Sequence, residues 1–351
     1  MYVKIYIGGM DAMPSARIEL FRDSRAALAN TLALGAASLG WLGSFALMSA
    51  RSVPLDGVGV LLCAQSMVLA AYLIHEAAHQ TLFATRAANA CAGEAMSFIA
   101  GSSYASFERI RHMHIRHHLD RADLACFDFK ALLERRARLR ALIQALEWAY
   151  LPALEILMHL QVVWRPFLLR AQRRYLPRAA AMLAVRSALL VLLGLWSLKA
   201  LLLYALAALI ELHVLNFFDA FHHSFEQYFV APQEPVPMAG RDRRYEQRHT
   251  YTNLISRRHP WLNLLVLNFG YHNAHHERPS LPWFRLPALH RELYGESHGG
   301  VLTLSELLRT WHRNRVRRVC SADYGIPADG RAATRADGFV GAHGVSFLTV
   351  V

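Results

Sequence analysis

The sequence is poor in cysteine, and its four cysteines are scattered over the chain: Cys63, Cys91, Cys126 and Cys320. None belongs to a CxxC pair, which excludes a disulfide framework and a zinc ribbon. The first residues lack a basic stretch followed by a long apolar run, so we expect no cleavable signal peptide. No repeat of the solenoid type is present, which excludes an array of small stacked units.

Acidic residues are also few, since 26 Asp and Glu stand against 38 Lys and Arg and the net charge is +12. Apolar residues nevertheless make up 54% of the chain. This combination is typical of a membrane protein with basic loops on one side of the bilayer. A basic chain can also bind nucleic acid, but here the basic residues flank apolar runs and no nucleic-acid motif is present. We therefore expect a bilayer, and no nucleic acid, as a partner.

Histidines, by contrast, are grouped into three boxes that share a short spacing. An HxxxH box is followed by an HxxHH box and, far downstream, by a second HxxHH box: His75 and His79; His114, His117 and His118; His272, His275 and His276. On a helix, positions i, i+3 and i+4 lie on one face, about 5–6 Å apart at Cβ. Three such groups of neutral imidazoles predict a metal site.

Apolar runs near these boxes are long enough to cross a membrane. Residues 27–48 and 57–74 carry no charge, and a helix rises about 1.5 Å per residue against a hydrocarbon core of about 30 Å. Residues 179–218 are apolar except for Arg186, Lys199, Glu211 and His213. This region predicts either one span or a tight hairpin that turns at Lys199.

The position of the boxes favours the hairpin. If all three boxes form one site, they lie on one side of the membrane, and an even number of spans separates the second box from the third. We therefore predict spans at residues 179–198 and 200–218. Since the short outer turns hold only Arg51 and Lys199, the excess of basic residues elsewhere predicts that the boxes face the cytoplasm.

The predicted fold is all-α and integral to the membrane. It has about four transmembrane helices in two hairpins, and a cytosolic helical cap carries the boxes. The predicted divisions are a cytosolic N-terminal segment (1–26), a membrane domain (27–312) and a basic, then Gly/Ala-rich, C-terminal tail (313–351).

The boxes also indicate which metal is expected. Imidazole ligands without thiolates favour a borderline transition metal over Ca²⁺ or Mg²⁺, which prefer oxygen. Eight or nine histidines exceed the needs of one ion, so two metals are predicted. A nitrogen-rich site for two metals suits the activation of O₂ by iron.

The order of the boxes and spans resembles the membrane fatty acid desaturases, which are non-haem di-iron enzymes. The resemblance runs from about residue 74 to 293, and the stretch Pro279-Ser-Leu-Pro282-Trp283 after the third box agrees with it. It implies removal of two hydrogens from a fatty acyl chain with O₂ as co-substrate and two Fe²⁺ ions as cofactors. The eight box histidines match the family's ligands.

The resemblance further implies a ninth ligand near the inner end of the fourth span. His223 follows Asp219 by four residues, so both can face one way on a helix, and His223 is the predicted ligand. His222 is its rival. Asp219 stands where acyl-CoA desaturases have Asn, and it is predicted to bind through water or to orient a histidine. Asn268 is a further candidate, either for orienting a ligand or for capping a helix.

Electrons are expected from a separate carrier, either ferredoxin-like or cytochrome b5-like. The sequence has neither a His-Pro-Gly-Gly haem motif nor a Cys₄ cluster. Arg-rich segments on the cytosolic side favour an acidic carrier.

Three other functions share part of the pattern. Histidine-box membrane hydroxylases and carotenoid ketolases carry the same boxes, and the sequence does not separate them from desaturases. The first box is also HExxH, the signature of zinc proteases, with Glu76 as the general base, although a protease does not need two HxxHH boxes. A metal transporter is disfavoured because it would place histidines along the spans.

Overall fold

The computed structural model describes residues 2–3, 18–21, 24–225, 228–230, 235–295, 301–320, 339–342 and 348–349. Its α-helices are α1 (Ser24–Ser49), α2 (Val53–Ala78), α3 (Arg86–Ile99), α4 (Phe107–Asp120), α5 (Phe129–Arg135), α6 (Ala137–Trp148), α7 (Ala153–Leu168), α8 (Leu176–Trp196), α9 (Leu198–Asp219), α10 (Arg243–Arg248), α11 (His272–Glu277), α12 (Leu286–Tyr294), α13 (Leu304–Asn314) and α14 (Arg317–Cys320). Short 3-10 helices cover Arg170–Tyr175, Pro260–Val266 and Trp283–Arg285. The strands are β1 (Tyr2–Val3), β2 (Ile18–Glu19), β3 (Asp123–Ala125), β4 (Tyr228–Val230), β5 (Thr252–Leu254) and β6 (Val301–Thr303).

Four helices in the described part of the chain are long and apolar enough to cross a membrane: Ser24–Ser49, Val53–Ala78, Arg170–Trp196 and Leu198–Asp219. Each covers most or all of one of the four predicted spans. The predicted fold class, an all-α membrane protein with about four spans, is therefore confirmed. Residues 179–218 form a helical hairpin and not a single span.

The central helix of the four is α2, because it packs against α1, α3, α4 and α9. Two-thirds of its apolar window is buried, against 22% for α1. Pro54 lies in its first turn, where a proline has no hydrogen bond to lose and its fixed φ suits the helix. The cap end of α2 carries His75, so the best-packed helix positions the first box.

The second hairpin turns at Ser197, the one residue between α8 and α9. Its hydroxyl accepts a hydrogen bond from the Ala200 amide at 3.1 Å and thereby caps α9. Lys199, two residues after Ser197, has its Nζ 2.6 Å from the Asp56 carboxylate at the start of α2. This ion pair joins the turns of the two hairpins.

Arg186 is a charged residue inside a span, and its contacts explain how the bilayer tolerates it. Its Nε donates to the Ser103 hydroxyl at 3.2 Å, and an Nη donates to the Phe98 carbonyl. The guanidinium also lies 4.8 Å from the centre of the Phe98 ring. A charge within a membrane is tolerated when it faces protein and has partners.

The remaining helices form a cap over the ends of the spans that carry the boxes. Two parallel strand pairs, β3 with β4 and β5 with β6, tie distant segments of the cap together. Asn30 in α1 anchors the cap to the spans, because its amide donates to the Leu82 carbonyl at 2.8 Å and its oxygen accepts from Trp283 Nε1 at 3.0 Å. The segments that follow the first and third boxes thus share one anchor.

The ends of the chain are described only in part. Most of the predicted N-terminal segment 1–26, and residues 321–338, 343–347 and 350–351 of the predicted tail, lie outside the described residues. The tail boundary at residue 313 falls inside α13. Phe339 is fully buried against Phe221, and the Ala342 amide donates to the Ala220 carbonyl at 2.8 Å, so this part of the tail packs beside the fourth span.

Candidate metal centre

Four elements bring the histidine boxes together at the end of the spans opposite the turn at Ser197. The first box lies at the end of α2, the second on α4 and the third on α11. His223 follows the end of α9. All nine predicted ligands therefore reach one region, where they form two groups of converging imidazoles.

Cluster 1 consists of five histidines: His75, His79, His114, His118 and His275. Their Nε2 atoms face one another. The distances between Nε2 atoms are 2.7 Å from His79 to His114 and 3.0 Å from His75 to His275. His118 Nε2 is 3.1 Å from both His114 and His275, so the second and third boxes meet there.

Cluster 2 consists of four histidines: His117, His223, His272 and His276. His223 Nε2 lies 3.1 Å from His117 Nε2 and 2.8 Å from His272 Nε2. His276 Nε2 lies 3.2 Å from His272 Nε2. The predicted ninth ligand, His223, is thus at the middle of this group.

The two HxxHH boxes divide their histidines between the clusters in opposite ways. The second box gives its i and i+4 residues, His114 and His118, to cluster 1 and its i+3 residue, His117, to cluster 2. The third box gives His272 and His276 to cluster 2 and His275 to cluster 1. Residues i and i+4 are about 40° apart around a helix, whereas adjacent residues are about 100° apart, so each short helix serves two centres.

Hydrogen bonds on the outer side of cluster 2 fix which ring nitrogen carries the proton. His117 Nδ1 lies 2.9 Å from the Ala122 carbonyl, and His276 Nδ1 lies 2.7 Å from Glu246 Oε1. Both oxygens only accept, so both Nδ1 atoms donate. The Thr250 hydroxyl donates to the Glu246 carbonyl at 2.7 Å, and it therefore accepts from His223 Nδ1 at 3.2 Å. Three Nε2 lone pairs consequently point into the cluster.

Burial keeps these imidazoles neutral. Burial and then the neighbouring imidazoles lower the pKa of six of them well below the ordinary range: His79, His114, His118, His223, His272 and His275. The pKa of His117 falls to about 3 for the same reasons. A neutral imidazole keeps the lone pair that a metal requires.

A transition-metal ion fits this donor set. Imidazole nitrogens bind such ions at about 2.0–2.1 Å, so neighbouring ligands around one ion stand about 3 Å apart, as the facing Nε2 atoms do. Without a cation, several lone pairs would meet at one point with too few N–H groups to pair them. The nitrogen-only set also suits iron, copper or zinc better than magnesium or calcium.

Three further predicted residues lie outside both clusters. The ring of His222 stacks on that of His272, with centroids 4.1 Å apart, and its Nδ1 lies 4.0 Å from Asp219 Oδ1. Asn268 donates through its amide to the Trp283 carbonyl at 3.3 Å. These side chains contact cluster residues or the neighbouring loop. His223 belongs to cluster 2, whereas its rival His222 belongs to neither cluster.

Glu76 of the HExxH signature is engaged in structural contacts. Its Oε2 accepts from the Thr81 hydroxyl at 2.5 Å and from the Trp283 amide at 3.2 Å. The carboxylate thus holds the loop after the first box against the segment after the third. A general base must reach a metal-bound water, and this carboxylate is already bonded elsewhere, which disfavours the protease interpretation.

Sequence reasoning missed the residues that contact the outer side of the rings. Glu246 and Thr250 lie on or just after α10, and they contact His276 and His223. Neither has a box-like spacing to any histidine, so only the folded chain reveals them. Asp242, which precedes α10, is a recognisable helix N-cap. This signal does not indicate which residue of α10 faces a ligand.

The comparisons with known proteins agree with this arrangement. The family model described as Fatty acid desaturase matches residues 52–307. The match begins just before α2 and ends within α13, so it includes all three boxes and His223. No curated protein shows significant similarity to the chain.

Proposed function

Because the chain belongs to the fatty acid desaturase family, we propose that it catalyses the O₂-dependent desaturation of a fatty acyl chain. The observation that carries this proposal is the pair of adjacent all-histidine clusters at the inner ends of the spans. In the overall reaction, a –CH₂–CH₂– unit, O₂, two electrons and two protons give –CH=CH– and two molecules of water.

Two Fe²⁺ ions, one held by each cluster, would supply the redox chemistry that activates O₂ and removes hydrogen from an unactivated carbon. The protein's own contribution is to direct the lone pairs and to exclude water. Phe269 does the latter, because its ring lies 4.7 Å from the ring of His75 and 4.9 Å from that of His272. It therefore forms an apolar wall across both clusters.

An apolar cavity beside the clusters is the proposed site of the acyl chain. It lies between α2, α9 and α13, has a volume of about 560 Å³ and is lined by Val68, Val214, Phe217, Phe218, Leu308 and Trp311 among others. Ligand cavities typically measure about 300–1,000 Å³. The Phe218 ring lies 6.2 Å from that of His222, which stacks on His272. The cavity thus ends two rings away from cluster 2.

Filling this cavity is expected to change the products. Val214→Trp would place an indole in the space proposed for the chain, and we expect roughly tenfold less product or a shift to shorter chains. Leu202→Trp is the matched control, because Leu202 lies on the same helix but is 64% exposed. Gas chromatography of total fatty acids measures both. Equal loss in the two variants, or none in Val214→Trp, would contradict the assignment.

The electron donor and the orientation belong to the same proposal. We expect the clusters to face the cytoplasm, since the short outer turns hold few basic residues. A separate ferredoxin-like or cytochrome b5-like carrier with an acidic surface would then suit the Arg-rich cap.

Production of the chain in bacterial membranes with added iron tests the proposed reaction. A new unsaturated acyl chain, found by gas chromatography–mass spectrometry and absent from an inactive variant, is the expected result. A hydroxylated chain, or an altered carotenoid in a pigment-producing host, would instead identify a hydroxylase or ketolase. No product, together with one zinc and no iron per chain, would contradict the di-iron proposal.

A further inference from the structure

The Nδ1 atoms on the outer side of the two clusters differ in their hydrogen-bond partners. In cluster 2, the Nδ1 atoms of His117, His223 and His276 contact Ala122, Thr250 and Glu246 respectively. In cluster 1, the Nδ1 atoms of His118 and His275 are buried without a hydrogen-bond partner among the described residues. In cluster 2, the Nδ1 atom of His272 is likewise buried without a hydrogen-bond partner among the described residues.

Glu246 differs from the other outer partners because it carries charge. Its Oε1 accepts from His276 Nδ1 at 2.7 Å, and its Oε2 accepts from Arg121 Nε at 3.1 Å. Arg121 also donates to the Arg241 carbonyl at 2.8 Å, and Arg241 donates back to the Arg121 carbonyl at 2.7 Å. Glu246 as a whole residue is 6% exposed. The two hydrogen bonds between Arg121 and Arg241 hold Arg121 in place, and Arg121 in turn holds the Glu246 carboxylate beside His276.

Glu246 contacts the side of the His276 ring that faces away from the cluster. The Nε2 atom of the same ring points to His272 at 3.2 Å. Glu246 lies near enough to His118 and His276 for the three to hold an ion together, but its Oε1 is already engaged by His276 and its Oε2 by Arg121. Glu246 is therefore placed to act on the metal through His276. A carboxylate bonded to the second nitrogen of a metal-binding imidazole fixes the ring and increases its basicity.

We infer that Glu246 is a positioning residue that makes cluster 2 the tighter of two unequal metal positions. This inference rests on the proposed function, since it requires an ion at each cluster. His276 donates to a buried carboxylate at 2.7 Å. The carboxylates near cluster 1 lie further from its ring nitrogens, since Glu76 Oε1 is 3.4 Å from His75 Nδ1 and Glu246 itself lies within 4.8 Å of a ring nitrogen of His118. The ion at cluster 1 should therefore leave first when metal is removed.

Glu246→Gln tests this role with little change in shape. If the glutamine oxygen accepts from His276, the glutamine NH₂ group faces Arg121. Two hydrogen-bond donors, the NH₂ group and the Arg121 guanidinium, then face each other. In the other orientation, the NH₂ group of the glutamine donates to His276 Nδ1, so the imidazole proton moves to Nε2. A protonated Nε2 cannot bind the metal. Glu277→Gln is the matched control, because the Glu277 carboxylate also accepts from an arginine, Arg243 Nε at 2.8 Å.

The measurement is the release of iron from the purified, iron-loaded chain during exposure to a chelator. Metal content is read by mass spectrometry, and the two sites are distinguished by the Mössbauer spectrum of ⁵⁷Fe. For the native chain and Glu277→Gln, we expect a fast and a slow phase of one ion each. In Glu246→Gln, the slow phase should become about 10–100-fold faster, and the spectrum of that ion should change.

An unchanged slow phase in Glu246→Gln would overturn the inference while leaving the di-iron proposal intact. Equal acceleration of both phases would also overturn it, because the role would then be general support of the fold. Failure of the native chain to hold two ions would refute the proposed function itself.

Discussion

Replacement of His118 by alanine is expected to abolish product formation and to remove metal from the chain. His118 Nε2 lies 3.1 Å from both His114 and His275, and its ring lies 4.3 Å from that of His276 in the other cluster. Loss of an outer contact to a ligand already costs about 10–100-fold, so loss of the ligand itself should cost more than about 100-fold in activity. Iron content should fall from two ions to one or fewer.

His112→Ala is the control for this variant. His112 lies on the same helix, α4, is exposed and belongs to neither cluster. Both variants should insert into the membrane, because neither residue lies in a span. Quantitative metal analysis and fatty acid analysis of the two purified variants provide the comparison. A His118→Ala chain that retains two irons and native activity would contradict the assignment of cluster 1.

A single methyl group at Gly270 is expected to displace the third box. A Cβ at this position would lie 2.2 Å from the Asn253 backbone oxygen in β5, a contact that no side-chain rotation relieves. The Gly270 carbonyl accepts from the Asn253 amide at 2.8 Å, so the two backbones are held together. The box begins two residues later, at His272, and must move with Gly270.

Gly270→Ala should therefore lose iron and at least most of its activity, with a destabilisation of about 1–3 kcal/mol, as is typical of overpacking. Gly43→Ala is the control, since nothing lies within 4 Å of a Cβ added at Gly43 in α1. Thermal unfolding and iron content of the two variants should differ clearly. Native iron content in Gly270→Ala would show that β5 can move without the third box.

Local patterns account for the parts of the fold that the sequence predicts. A helix in hydrocarbon must satisfy its own backbone and must be about as long as the bilayer is thick, so the uncharged runs identify the spans. The helical hairpin in residues 179–218 followed from the need to bring all boxes to one side. The ion pair between Lys199 and Asp56 was not predictable, because it joins turns that are far apart in sequence.

The candidate site likewise has features that local sequence patterns predict and features that they do not. The spacing of His114, His117 and His118 determines that all three face one side of α4, because helical geometry is local. The number of histidines likewise determined that more than one metal was expected. The sequence alone therefore determined the spans and the box residues, and it predicted the class of metal.

Only the tertiary structure decided how the histidines divide between the clusters, why His223 rather than His222 joins them, and that Glu246 contacts His276. Each of these depends on the rotation of one element relative to another. Glu246 precedes His276 by 30 residues, and packing of the short helices α10 and α11, rather than any pattern in either segment, brings the carboxylate to the ring. Local spacing fixes the face of a helix, but packing between segments fixes what that face meets.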